Sequence, residues 1–396
     1  MSAAWEVFVV FLRLGLTSFG GPVAHLGYFR EAFVAQRRWL SEHAYADIVA
    51  LCQFLPGPAS SQVGMVVGLS RAGYLGALAA WIGFTLPSAV ALILFALGLS
   101  RYGNLIPAGA LHGLKVAAVG VVAQAVWGMA RSLCPDAPRI TLMALAAVAV
   151  SLVPSPACQL GVMVVAGLIG ARRFRSSDAV PHEPLSVPVG HGLALLCLVA
   201  FAVLLVGLPF AARASGNHAV ALFDAFYRAG ALVFGGGHVV LPLLQAAVVP
   251  PGWVDNDTFL AGYGAAQAVP GPLFTFAAFL GAAGTLAPNG WSGGALCVVA
   301  IFAPSFLLVF GALPFWERLR RHGATRAALA GVNAAVVGLL LAALYHPVWT
   351  SAVLAPADFA LALLALVALA VWRVPPWAVV LACALAGWGL QAAGIA

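Results

Sequence analysis

Gln53-Phe54-Leu55-Pro56-Gly57-Pro58 lies inside apolar residues 44–67, a stretch long enough to cross a bilayer. Two prolines and a glycine interrupt a helix there. Proline has no N–H to donate and its ring clashes with the preceding turn, and glycine is a poor helix former. The pattern returns as Gln267-Ala268-Val269-Pro270-Gly271-Pro272 within apolar residues 258–284. A break placed twice, at matching positions of two halves, points to the binding site of a membrane transporter.

Composition sets the class. The 396 residues are 63% hydrophobic and only 8% charged, against roughly 25% charged in a soluble domain. That apolar excess has to face lipid, and the apolar runs are continuous, unlike the alternation of a β-barrel. The chain therefore reads as an all-α polytopic membrane protein. The net charge of +7 is spread over loops, so it does not read as a nucleic-acid surface. The six cysteines are scattered without a CxxC pair, and neither a disulfide frame nor a metal site is expected. No cleavable leader is expected at the N-terminus; the first apolar segment would direct insertion.

Apolar segments at 5–27, 44–67, 73–99, 108–130, 139–154, 157–171, 190–211, 220–247, 258–284, 292–316, 326–346, 356–372 and 376–394 give about thirteen membrane segments, of which 139–171 could be one tight hairpin. Two halves repeat. Phe11, Arg13, Gly15, Phe19, Gly20 and Gly21 align at constant spacing with Phe226, Arg228, Gly230, Phe234, Gly235 and Gly236. Trp39 then matches Trp253, Pro87-Ser88 matches Pro304-Ser305, and Gly113 and Gly120 match Gly331 and Gly338. The expected organisation is a repeat at 1–171, a polar linker with a connecting helix at 172–211, and a second repeat at 212–396. The connecting crossing makes the second repeat enter from the opposite side, an inverted topology with Pro/Gly-broken helices.

The bias of basic loops favours an N-terminus inside, with Arg71 inside and Arg30, Arg37 and Arg38 outside. That last cluster dissents. It is accommodated if 5–27 turns back at Phe19-Gly20-Gly21, or if 28–40 is a surface helix.

The candidate binding residues follow from these breaks. Pro58 and Pro272 can each open a half-helix whose N–H groups and positive dipole end attract an anion. Ser60 and Thr275 add hydroxyls, while Gln53 and Gln267 bring amides from the other side of each break. Pro56, Gly57, Pro270 and Gly271 shape the turns. Gly20, Gly21, Gly235 and Gly236 allow a ligand close to the backbone, although glycine also serves tight helix packing. Arg13 and Arg228, at equivalent apolar positions, suit a bidentate clamp on a tetrahedral oxyanion; the alternatives are a snorkelling Arg or a structural pair with Glu6 or Asp224. Lys115 adds charge or exchanges a proton, or merely snorkels. Asp47 is a candidate proton acceptor, or a residue near a helix start at the membrane face. Dispersed acids and isolated histidines argue against an enzyme, and no GxxxxGK[ST] loop or cofactor motif is present.

Leu14-Gly15 with Ser18-Phe19-Gly20-Gly21-Pro22, then Arg38-Trp39-Leu40, then Gln53 to Pro58, resembles the chromate ion transporter family. Phe234-Gly235-Gly236-Gly237 and Gln267-x-x-Pro270-Gly271-Pro272 look like the second domain of its two-domain members. The resemblance implies a multi-pass protein of a bacterial-type inner membrane that exports chromate, with sulfate as a competing analogue, driven by the proton motive force. Chromate, sulfate, protons and lipid are the partners it implies. A different anion, or an anion channel, stays open on the residues alone, as does a homo-oligomer.

Overall fold

The computed structural model describes residues 2–102, 106–174, 189–234, 237–316 and 323–393. Most of the linker at 172–189, together with Gly235, Gly236 and the loop 317–322, lies outside the described residues. The first half comprises α1 (Ala3–Thr17), α2 (Gly21–Arg30), α3 (Glu42–Phe54), α4 (Ala59–Tyr102), α5 (Ala108–Leu133), α6 (Ala137–Leu152) and α7 (Pro156–Arg173). The connector is α8 (His191–Ser215). The second half comprises α9 (His218–Ala231), α10 (Val240–Val248), α11 (Asn256–Ala268), α12 (Phe276–Ala283), α13 (Gly290–Ala312), α14 (Gly323–Ala343), α15 (Pro356–Ala370) and α16 (Pro376–Ala392). No strand occurs among the described residues. The protein is an all-α polytopic membrane protein. Helices α4, α5, α8, α13 and α14 are each long and apolar enough to cross a bilayer. On α8, Leu195, Leu196, Val199, Val203, Val206 and Phe210 are exposed, a surface suited to lipid.

Four apolar stretches read as single segments are instead pairs of short helices. The first runs through α1, breaks at Ser18–Gly20 and returns along α2; Gly20 and Gly21 both have positive φ there. The second enters as α3, capped by Ser41 accepting from the Ala44 N–H, breaks before Pro56, and returns along the start of α4. α4 itself turns sharply at Ala72–Gly73. Both hairpins begin and end together. Glu6 pairs with Arg37 (3.7 Å) and Arg71 (3.2 Å), and both guanidinium groups lie over Trp39. Arg30 binds Glu42 at 2.6 Å, which holds that carboxyl below its usual range. Arg37 and Arg71, expected on opposite sides, therefore share one end of the bundle. The chain turns back at Phe19-Gly20-Gly21, because two left-handed glycines cannot continue a helix.

The second half uses the same devices. α9 breaks after Ala231, α11 is capped by Asp255 through the Thr258 N–H, and α11 and α12 flank the second Pro-Gly-Pro. His218, which opens α9, stacks edge-on against Trp253, and the Thr285 N–H beyond α12 donates to the Trp253 carbonyl. These chain ends also meet.

The later part of α4 and α13, which carry the matched Pro87-Ser88 and Pro304-Ser305, pack antiparallel. Tyr74 meets Phe310 (5.4 Å between rings), Trp81 meets Phe306 (5.5 Å), and Ile93 and Leu97 face Gly294 and Gly290. The two halves are also interlaced: α5 packs on α15 and α16, and α14 packs on α6 and α7. Burial gains little from water exclusion in lipid, so close backbone contact carries more of the association. Glycines provide it. A Cβ on Gly113 would strike the Cys383 carbonyl, and one on Gly331 the Ala166 carbonyl.

Candidate functional site

The four hairpin tips meet, and they meet crosswise. In Pro-Gly-Pro only the glycine has an N–H. The Gly57 N–H donates to the Val233 carbonyl at 2.7 Å, and the Gly271 N–H donates to the Ser18 carbonyl at 2.9 Å. Each Pro-Gly-Pro is thus tied to the glycine tip of the other half. Each glycine also faces the serine of the other half's long helix: a Cβ on Gly57 would lie 2.8 Å from Ser305 Oγ, and one on Gly271 2.9 Å from Ser88 Oγ. Gly57 (φ 118°) and Gly271 (φ 105°) sit where side chains are strained. The Pro-Gly-Pro N–H groups are therefore occupied, and the anion-attracting N–H groups are those of the following half-helix.

One cavity of about 50 Å³ opens between tips of the two halves, room for about three waters. Its polar wall is Gly20, Gly21, Gln124, His238, Gln267 and Gly271; Val121, Ala266, Val269, Leu273 and Pro376 complete it. Gly20 and Gly21 present the N-terminus of α2, with Pro22 in its first turn. The Gln267 amide nitrogen is buried with no partner among the described residues, and such a donor costs about 1–3 kcal/mol unless a ligand or water takes it. His238 shares a 2.9 Å hydrogen bond between Nδ1 and the Tyr263 hydroxyl, leaving Nε2 on the Gly21 side. Gln124 donates to the Leu369 carbonyl at 3.4 Å, which leaves its amide oxygen. The cavity offers the Gln267 amide donor and a helix N-terminus, both suited to an anion, beside one acceptor, the Gln124 amide oxygen.

Of the residues expected from sequence, Gly20, Gly21, Gln267 and Gly271 share this cavity, flanked by Pro270 and Pro272. The Thr275 hydroxyl is spent on the Pro272 carbonyl at 2.7 Å. Around the first Pro-Gly-Pro the setting differs. Gln53 is exposed, Gly57 and Pro58 are buried, and buried Ser60 lies 3.4 Å from His25 Nδ1. Gln62 donates to the Pro56 carbonyl at 2.8 Å, and the hydroxyls of Ser61 and Ser305 are buried without partners among the described residues. Arg13 is exposed on α1 and Asp47 is half-buried on α3. Arg228 is held by both oxygens of Asp224, at 2.9 and 2.8 Å, in a separate cavity. Lys115 pairs with exposed Asp257 at 3.0 Å and lines neither cavity. Gln124, His238 and Tyr263 were not expected in a binding role. Only His238 carried a signal, its place just after a glycine pair.

Broken helices meeting tip to tip around a small polar cavity inside an apolar helical bundle define the architecture of a membrane transporter. The chromate transporter family model matches the chain twice, over residues 5–171 and 220–388, and the chain belongs to that family. It is 30% identical over 353 residues to the chromate transport protein of Pseudomonas aeruginosa, covering 85% of this chain and 79% of that one. It is 27% identical to a probable chromate transport protein of Synechococcus elongatus (84% and 81% covered) and 26% identical to the chromate transport protein of Cupriavidus metallidurans (92% and 86%). No solved structure matches.

Proposed function

We propose that the protein is a secondary transporter that exports chromate, a divalent tetrahedral oxyanion, across a bacterial-type inner membrane, with sulfate as a competing substrate and the proton motive force as driver. The observation that carries the reading is the inter-tip cavity, where a helix N-terminus and an unpartnered buried Gln267 amide converge. Family membership narrows the anion to chromate. The twofold match of the family model and the antiparallel packing of α4 on α13 support two inverted repeats. The crosswise ties at Gly57 and Gly271 would then be exchanged as the site alternates between faces. Because α5 and α14 are each embraced by the other half, the moving bodies are the hairpin tips rather than two intact chain halves.

Flux of labelled chromate in proteoliposomes, with and without an imposed pH gradient and challenged by sulfate, molybdate and phosphate, tests this. Saturable flux accelerated by the gradient and competed by sulfate is expected. Passive flux indifferent to the gradient would favour an anion channel.

A further inference from the structure

His238 lines the inter-tip cavity from the short turn Gly237–Val239 that leads into α10. Its Nδ1 lies 2.9 Å from the hydroxyl of Tyr263. Tyr263 stands one turn before Gln267 on α11, so the two side chains share a helix face. The Tyr263 ring is fully buried and edge-on to Phe276, with 5.6 Å between ring centroids. Its hydroxyl has no other hydrogen-bond partner among the described residues.

That isolation decides which way the bond runs. A phenol can donate or accept, and a neutral imidazole carries one N–H. If Nδ1 held the proton and donated it, the phenol proton would be buried with no acceptor, the costlier arrangement. Donation from Tyr263 to a bare Nδ1 satisfies both groups and leaves the imidazole proton on Nε2. Nε2 is the nitrogen turned toward α2: a Cβ on Gly21 would lie 4.0 Å from it, and both residues line the cavity. The first turn of α2, which has no side-chain cap, and Gln267, with its unpartnered amide nitrogen, border the same space. An Nε2–H adds a third donor for an oxyanion there, whereas a bare Nε2 would set a lone pair against it.

We propose that Tyr263 is a positioning residue: by donating to His238 Nδ1 it holds the neutral imidazole with its proton on Nε2, which donates to the bound oxyanion. This rests on the transport reading above and adds a residue that acts without touching the substrate. The device needs no change of charge, so no proton uptake or release accompanies it. The first half has no such lock. The offset that aligns Gln53 with Gln267 sets Val49 opposite Tyr263. His25 Nδ1 instead faces the Ser60 hydroxyl at 3.4 Å, too long a contact to fix a tautomer.

Purified protein with isotope-labelled histidine ring nitrogens, in lipid nanodiscs, reports the tautomer by NMR. The His238 signals are those lost in His238→Gln. The wild type is expected to show a protonated Nε2 and an unprotonated, hydrogen-bonded Nδ1. Tyr263→Phe keeps the ring and removes the donor. It is expected to lose that signature and to bind labelled chromate about fivefold more weakly in equilibrium dialysis. His238→Gln keeps an amide N–H but has no tautomer to set. In that background Tyr263→Phe is expected to change affinity by less than about twofold. A protonated Nδ1 in the wild type, or equal losses from Tyr263→Phe in both backgrounds, would overturn the assignment while chromate binding stands. Failure of the wild type to bind chromate at all would instead sink the transport reading. Should Tyr263→Phe not fold, the wild-type Nδ1 signal still decides.

Discussion

The two Pro-Gly-Pro tips share three residues, a positive-φ glycine and a tie to the opposite half, yet their surroundings differ. Gln267 is half-buried, its amide nitrogen buried at a cavity with no partner among the described residues, while Gln53 is exposed. The first tip is packed against Gln62 and Ser305; the second borders open space beside Gly20 and Gly21. On the proposed transport reading, two related half-sites would be engaged unequally in any one state, and the difference between the tips would mark which is engaged here.

The largest effect is expected at the glycines themselves. Gly57→Ala puts a Cβ against Gln62 and Ser305 at positive φ, and Gly271→Ala puts one against Ser88. The backbone strain alone is about 1–3 kcal/mol at each. Both should lower the thermal midpoint and flux, and adding Ser305→Ala or Ser88→Ala should recover part of the loss. Absence of any recovery would argue against the crosswise packing.

Next come the arginines. Arg228→Gln leaves the Asp224 carboxylate buried without its partner, a cost of about 1–3 kcal/mol for a pair whose arginine is partly exposed. Arg13→Gln removes an exposed charge with no ion-pair partner among the described residues and should cost less than about 1 kcal/mol. Equal destabilisation in denaturation experiments would contradict this asymmetry between equivalent positions.

A smaller effect sharpens the comparison between tips. In a cysteine-free background, Gln53→Cys should react with an impermeant thiol reagent faster than Gln267→Cys. Conditions that favour the opposite state should reverse the order. The smallest effect is expected from Lys115→Met, which loses a pair with exposed Asp257 and should shift stability by about 0–1 kcal/mol.

Proline and glycine made much of the architecture legible in the sequence, because they act on the backbone locally. The breaks at Gly20, Gly57 and Gly271 all occur where their residues demand. Hydropathy was less informative about direction. A pair of short helices folded back on itself has the same length and apolarity as one spanning helix, so 44–67 reads as a crossing, as does 5–27 unless the dissenting arginines are weighed and the chain is turned back at Phe19-Gly20-Gly21. The Glu6–Arg37–Arg71 cluster that reveals the return is a contact between residues far apart in the chain. The interlacing of α5 and α14 was hidden for the same reason. At the site, Gln267 was readable from its place beside the break. Gln124 was not, since nothing breaks α5 near it, and Tyr263 was not, since it lies in the regular body of α11, one turn before the break. Arg228 was readable as special, but its bond to Asp224 depends on which face of α9 turns inward.

The central claim is that the anion passes through the cavity beside Gln267. Flux of labelled chromate into proteoliposomes holding wild-type or Gln267→Leu protein, in matched folded amounts, tests it most directly. The account predicts saturable, sulfate-competed flux in the wild type and a loss of about tenfold or more in the variant. Undiminished flux in Gln267→Leu, with unchanged competition by sulfate, would contradict it.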